Sequence, residues 1–351
     1  MSVGMLIAAG LAVLVSGSIS GWAQDVAPAR VSFTTPPSKY QDAPTTVSGT
    51  MNMPASRADK LPAVVILHSS GGVDARGAAY AAALNKAGIA TLEIEMFARG
   101  QTVQTHPTVQ QNMPHVFGAL EYLASRPEID PARIGVMGFS WGGMLSIVAA
   151  TDRFTTELTQ GKRRFKAHVA LYPVCWIHSS VLEGTAMASP HKFMKLDRDT
   201  YMKFTGAPVL ILAAEKDDYD DSDSCAKFVA EANKSAGAAF TETTYSGAYH
   251  GWDAPRDAQS TSPLANKGRG GTWRGYANAE AGERSRRDAV QFFAKNLWRG
   301  SVGCGAADSR GAEIVLLGLL LAGGDQVLER LPRRRRLHDD AHGVAREPAD
   351  V

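Results

Sequence analysis

The chain has 351 residues, a formal net charge of +2, 44% apolar and 21% charged residues, and three cysteines. These values exclude a disordered chain, a collagen and a disulfide-dense mini-protein, and the balanced charge argues against a nucleic-acid-binding domain. A chain of this size holds one large domain or two small ones.

Residues 5–15 form an apolar run with Leu6, Ile7, Leu11, Val13, Leu14 and Val15, followed by Gly21-Trp22-Ala23. A short apolar run before a small-x-small site predicts a secretory signal over residues 1–23, cut after Ala23. The run is too short for a membrane span, so no stable membrane insertion is expected. The mature protein would then be periplasmic or secreted, in a compartment that permits disulfides. Residues 301–351 lack lysine and crowd Arg333, Arg334, Arg335 and Arg336 together. They read as an arginine-rich, poorly ordered extension and receive no chemistry. Residues 24–300 remain as one domain.

Within that domain the elements follow in order. Residues 31–35 and 47–53 alternate in polarity and predict edge strands. Residues 63–67 are apolar throughout, as in a strand buried on both faces. An alanine-rich helix over 75–87 is stopped by Gly88, and residues 89–94 give the next strand. A helix over 109–125 takes Pro114 in its early turns, and a strand over 133–137 leads to a helix containing 144–150. Strands at 167–172 and 209–214, a helix at 222–236, a strand at 240–245 and a helix at 279–297 complete the set. Residues 176–205 read as a long connection across the cleft edge. Strands alternating with helices predict an α/β fold with a mostly parallel sheet covered on both faces, whose ligands bind beyond the strand carboxyl ends.

After strand 133–137 comes Gly138-Phe139-Ser140-Trp141-Gly142-Gly143 and then a helix. This is G-x-S-x-G in the strand–turn–helix setting of a nucleophile elbow. The turn needs glycine at its flanks, presents the Ser140 hydroxyl, and aims the Trp141 N–H and the helix dipole at a developing oxyanion. A serine hydroxyl needs a base, and acid then histidine should follow in chain order. His250 lies in the loop after the last strand and before the final helix. The acid belongs after strand 209–214, where Glu215, Asp217, Asp218, Asp220, Asp221 and Asp223 all offer carboxylates. Spacing does not choose among them.

On these residues the chain resembles the dienelactone hydrolase family of the α/β-hydrolase fold, across roughly residues 31–300. The elbow matches the family's G-F-x-x-G-G, and Tyr249-His250 resembles its histidine loop. Glu215-Lys216-Asp217-Asp218 resembles its acid turn, which implies Asp217 as the acid. His68-Ser69-Ser70-Gly71-Gly72 resembles the H-G-x-G-G loop of the fold, which implies the Ser70 N–H as second oxyanion donor and a structural role for His68. Glu95-Met96-Phe97-Ala98-Arg99-Gly100 resembles a recurring segment, which implies Arg99 as a contact for a substrate carboxylate. Where well-known members carry cysteine, this chain has Ser140, which moves the expectation toward esterases.

Trp141, Trp176, Tyr249 and Trp252 are candidate apolar walls of a substrate pocket. His106, His115, His168, His178 and His191 show no metal spacing, and no metal or cofactor is expected. Cys175 and Cys225 follow neighbouring strands and could pair. The expectation is an exported serine hydrolase of carboxylic esters or lactones, acting as a monomer or small homo-oligomer on a small-molecule substrate, with Ser140, His250 and Asp217 as its triad. A serine peptidase and a non-catalytic binding protein on the same fold are the alternatives.

Overall fold

The computed structural model describes residues 27–55, 60–97, 107–185 and 196–298. The chain divides into two units, Met1–Gly300 and Ser301–Val351, and every described residue belongs to the first. The expected signal over 1–23 and the extension over 301–351 lie outside the described residues.

The chain enters through β1 (Ala29–Thr34) and β2 (Thr46–Asn52), an antiparallel pair whose burial alternates, as a strand with one wet face requires. β3 (Leu61–Leu67) is buried throughout. Its side chains split by period two: Ala63, Val65 and Leu67 join one apolar cluster, Val64 and Ile66 the other. The sheet therefore has a core on each face. α1 (Ala75–Lys86) leads to β4 (Ala90–Ile94), and α2 (Val109–Ser125), started by a Thr108–Gln111 capping box, leads to β5 (Ile129–Phe139). α3 (Trp141–Val148) and α4 (Asp152–Thr159) precede β6 (His168–Leu171). α5 (Cys175–Leu182) and a 3-10 turn at Arg198–Tyr201 precede β7 (Val209–Ala214). α6 (Ser224–Ala232) and β8 (Phe240–Tyr245) follow. A hairpin of β9 (Ala258–Ser262) and β10 (Gly271–Gly275) flanks the short α7 (Ala265–Gly268), before α8 (Ala279–Leu297) closes the described chain.

The main sheet has eight strands in the order β1-β2-β4-β3-β5-β6-β7-β8, with β2–β4 antiparallel and every pair from β4 to β8 parallel. α1 and α8 pack on one face, and α2, α3, α5 and α6 on the other. The carboxyl ends of β3, β5, β6, β7 and β8 thus point one way and release five loops side by side. The stretch expected as a connection over 176–205 is a helix in its first part. α5 is short and at least partly buried on all sides, with His178, Ser179 and Ser180 among its apolar residues, so it carries no amphipathic period for sequence reading to detect. The hairpin was also missed, because Ala258–Ser262 holds one buried residue and no apolar alternation. Among the described residues no helix is long and apolar enough to cross a membrane.

One buried charge interrupts this core. Glu93 on β4 is 8% exposed and faces α1 at Gly77, where an added Cβ would meet its carboxylate within 1.9 Å. Burial, reinforced by Asp74 and Glu95, pushes the Glu93 carboxyl up to about 7. A carboxyl raised in the folded state contributes stability that is full below its unfolded value and lost as pH rises through the folded one. Glu93→Gln is therefore expected to gain stability over the native chain between about pH 4.5 and 7, by up to roughly 3 kcal/mol. Urea unfolding of both proteins at pH 4.5 and pH 8 measures the difference.

Candidate active site

β5 ends at Phe139 and α3 starts at Trp141, so Ser140 alone turns the chain. Its φ of 49° and ψ of −106° are a strained conformation for a residue with a Cβ. The flanking glycines permit it by letting backbones touch. A Cβ on Gly138 would lie 2.2 Å from the Gly142 carbonyl carbon, and one on Gly142 would lie 2.2 Å from the Leu67 carbonyl oxygen. Neither neighbour is a side chain able to move aside. Trp141 opens α3, where amides point outward along the helix axis.

Three loops converge on the serine. The Ser140 hydroxyl is 2.9 Å from His250 Nε2, and His250 Nδ1 is 2.8 Å from Asp217 Oδ2. A carboxylate accepts, so Nδ1 carries the proton and Nε2 is left to accept from the hydroxyl. The Tyr219 N–H donates to the other Asp217 oxygen at 2.9 Å. Both side chains are nearly sealed, with 8% of His250 and 4% of Asp217 exposed. Tyr172 and Tyr219 meet the imidazole edge-on, with centroids at 4.9 and 4.6 Å, and hold its plane.

The acidic run after β7 is divided among separate tasks. Glu215 accepts from Ser246 and the Gly247 N–H, Asp218 pairs with Arg274, Asp221 with Lys267 and Asp223 with Lys227. Asp220 turns inward and accepts the Cys175 and Trp176 N–H groups, capping α5. Burial and the neighbouring Asp217 raise its carboxyl well above the usual range. Asp217 alone meets His250. Cys175 and Cys225 form a disulfide with Cα atoms 5.0 Å apart, tying α5 to α6 beside this loop. Together with Asp220 they are the described residues grouped closely enough for an ion, with ligand-type atoms within 4.8 Å, but the two sulfurs are bonded to each other.

The loop after β3 is shaped by His68. Its Nδ1–H donates to the Ser69 carbonyl at 2.7 Å, and its Nε2 accepts the Met96 N–H at 3.0 Å. Burial lowers its pKa, so it stays neutral and keeps both bonds. The imidazole thus works as a spacer between β3 and β4. Ser70 sits in this loop, lining the same cleft as Ser140.

The cleft measures about 660 Å³. Its walls include Tyr219, Pro255, Arg256 and Trp273. All four expected wall residues fall elsewhere. Trp141 is 4% exposed, packs in the core and does not line the cleft. Trp252 is 1% exposed and donates to Ser285, which makes it core. Tyr249 lies against Tyr276 under the charges of Lys216 and Arg274, and it is not among the lining residues. Trp176 opens α5 with its ring against the core, likewise outside the lining. Arg99 lies outside the described residues. Arg76, Tyr172, Tyr219 and Trp273 were not anticipated. Tyr172 had a legible signal, since it directly follows a buried strand at its carboxyl end.

Fold and site together define the chain as an α/β-hydrolase. The model of the dienelactone hydrolase family matches residues 47–297, and the protein belongs to that family. Est1E from Butyrivibrio proteoclasticus is 16% identical, with a TM-score of 0.50 over 76% of this chain and 99% of that one. Esterase 2 from Thermogutta terrifontis, phosphoramylated by tabun, is 14% identical, with a TM-score of 0.52 over 77% and 97%. The Pyrococcus horikoshii acylaminoacyl peptidase is 15% identical, with a TM-score of 0.52 over 84% of this chain and 44% of that one. At these identities the likeness is one of fold. No curated protein sequence matches the chain.

The glycine contacts make a specific forecast. Gly142→Ala forces a Cβ against the backbone of Leu67 and His68 and is expected to cost more than about 2 kcal/mol of stability. Gly161→Ala, where nothing lies within 4 Å but φ is +71°, should cost roughly 1 kcal/mol. Thermal melts of the two variants rank them.

Proposed function

We propose that the protein is an exported serine hydrolase that cleaves carboxylic esters or lactones through an acyl-enzyme. The observation that carries this reading is the unbroken line from Ser140 Oγ to His250 Nε2 at 2.9 Å and from His250 Nδ1 to Asp217 at 2.8 Å. Ser140 attacks the carbonyl carbon as its proton passes to Nε2. Asp217 holds the tautomer that leaves Nε2 able to accept, and it stabilises the imidazolium once formed. The Trp141 and Ser70 N–H groups serve the oxyanion, each worth roughly 3 kcal/mol in a hole of this kind.

Collapse of the tetrahedral intermediate breaks the bond to the leaving alcohol, which takes its proton from Nε2. Water then repeats the sequence on the acyl-enzyme, with His250 again as base. All of these steps run on protein groups. The cleft, of about 660 Å³ and partly walled by Tyr219 and Trp273, suits a small or medium ester. Export is supported by the apolar N-terminal run before Ala23 and by the Cys175–Cys225 disulfide, since such bonds persist in oxidising compartments.

A fluorophosphonate probe and p-nitrophenyl acetate test the reading. The native protein is expected to label and to turn over ester, and Ser140→Ala to do neither. Asp217→Asn should keep the fold and lose roughly 10³–10⁴ in kcat. Equal activity in the native protein and Ser140→Ala would end the assignment.

A further inference from the structure

The Arg76 side chain is 11% exposed, although it belongs to the first turn of a surface helix. α1 does not need its guanidinium to begin, because Asp74 caps the helix through the Arg76 backbone N–H at 3.0 Å. The guanidinium also forks onto the Asp74 carboxylate through Nε and Nη2, and from there it reaches further. Nη2 donates to Ser69 Oγ at 2.9 Å, in the loop of the second oxyanion donor. Nη1 donates to the Tyr172 hydroxyl at 3.2 Å, and that hydroxyl donates to Asp253 at 2.5 Å, three residues past His250. The guanidinium also lies 5.5 Å over the ring of Phe139, the residue before Ser140. One cation therefore touches, directly or through one phenol, three of the four loops that carry the site, the acid loop after β7 being held separately.

We infer that Arg76 is a positioning residue that locks the oxyanion loop, the serine elbow and the histidine loop into one unit through Ser69, Phe139, and Tyr172 with Asp253. The inference rests on the serine-hydrolase reading above. Two independent features support it. Tyr172 holds a φ of 38°, an uncommon conformation for a bulky residue, at the point where its ring packs on His250 and its hydroxyl enters the chain of bonds. The buried guanidinium is also compensated, by Asp74 directly and by Asp253 beyond the Tyr172 hydroxyl. Burial and the Asp253 carboxylate keep Tyr172 protonated, so its hydroxyl stays able to accept from Arg76 and donate to Asp253. Lysine cannot replace this geometry, because a single ammonium does not span two acceptors that a rigid fork reaches together.

The test compares Arg76→Lys, Tyr172→Phe and the double variant with the native chain. The readouts are thermal melts, kcat and KM for p-nitrophenyl acetate, and inhibition by phenylboronic acid, which adds to a reactive serine as a tetrahedral mimic. Each single variant is expected to fold, to lose about tenfold in kcat and in boronate affinity, and to hold KM within about twofold. The double variant should be no worse than the poorer single one, since both cut one chain of bonds. Tyr172→Phe keeps the ring on His250, so it carries the test if Arg76→Lys does not fold. Native kcat and boronate affinity in folded variants, or losses that simply add, would overturn the inference. So would a KM rise confined to carboxylate-bearing esters, which would make Arg76 a substrate anchor. Absence of fluorophosphonate labelling in the native protein is a separate outcome that removes the serine-hydrolase reading itself.

Discussion

The arrangement at Ser140 depends on a backbone contact that leaves room for hydrogen and nothing larger. Gly138 approaches Gly142 across the turn, and Gly142 approaches the end of β3 at Leu67 and His68. That second approach sets the loop that begins at His68 directly beside the serine. The strained φ at Ser140 is the local cost of ending a buried strand and starting a buried helix within one residue. Packing holds it there: Phe139 and Trp141 are almost fully buried on either side.

Around that contact three buried polar groups have defined partners. Asp217 uses both oxygens, one on His250 and one on the Tyr219 N–H. His68 uses both ring nitrogens to hold two strand ends apart. Asp220 closes the first turn of α5 and lies beside the disulfide, so the acid loop is anchored covalently and by hydrogen bonds. Unsatisfied, such groups would each cost more than a typical hydrogen bond returns. Satisfied, they restrict the site to one geometry, which is what attack at a carbonyl carbon demands.

Much of the sheet was legible because its strands are buried on both faces or alternate cleanly. Residues 209–214 and 240–245 read as strands and form β7 and β8 over the same residues; the helices at 109–125 and 279–297 likewise form as read. Of the elements that escaped, α4 is amphipathic, with Phe154 and Leu158 buried four residues apart, and two others lack a period. α5 mixes apolar residues with His178, Ser179 and Ser180, and the β9–β10 hairpin is mostly polar on both faces, so neither shows the contrast that sequence reading needs. The aromatic wall was misplaced for a related reason. Trp252 and Tyr249 sit in loops and Trp273 on β10, and composition cannot tell which of three rings turns to the core, to a neighbouring ring or to the cleft.

The amino-acid sequence by itself determined the strand–turn–helix around Ser140, since only glycine at 138 and 142 suits so tight a bend. It also determined the strand and helix order that brings later loops to the same sheet edge. Tertiary structure decided which carboxylate in the acidic run faces His250, because Asp218, Asp221 and Asp220 are drawn off by Arg274, Lys267 and the α5 amides from distant parts of the chain, and Asp223 by Lys227 one helical turn on. It also decided that Arg76 would join loops nearly a hundred residues apart, since Tyr172 comes within 3.2 Å of it only once β3, β5 and β6 lie side by side.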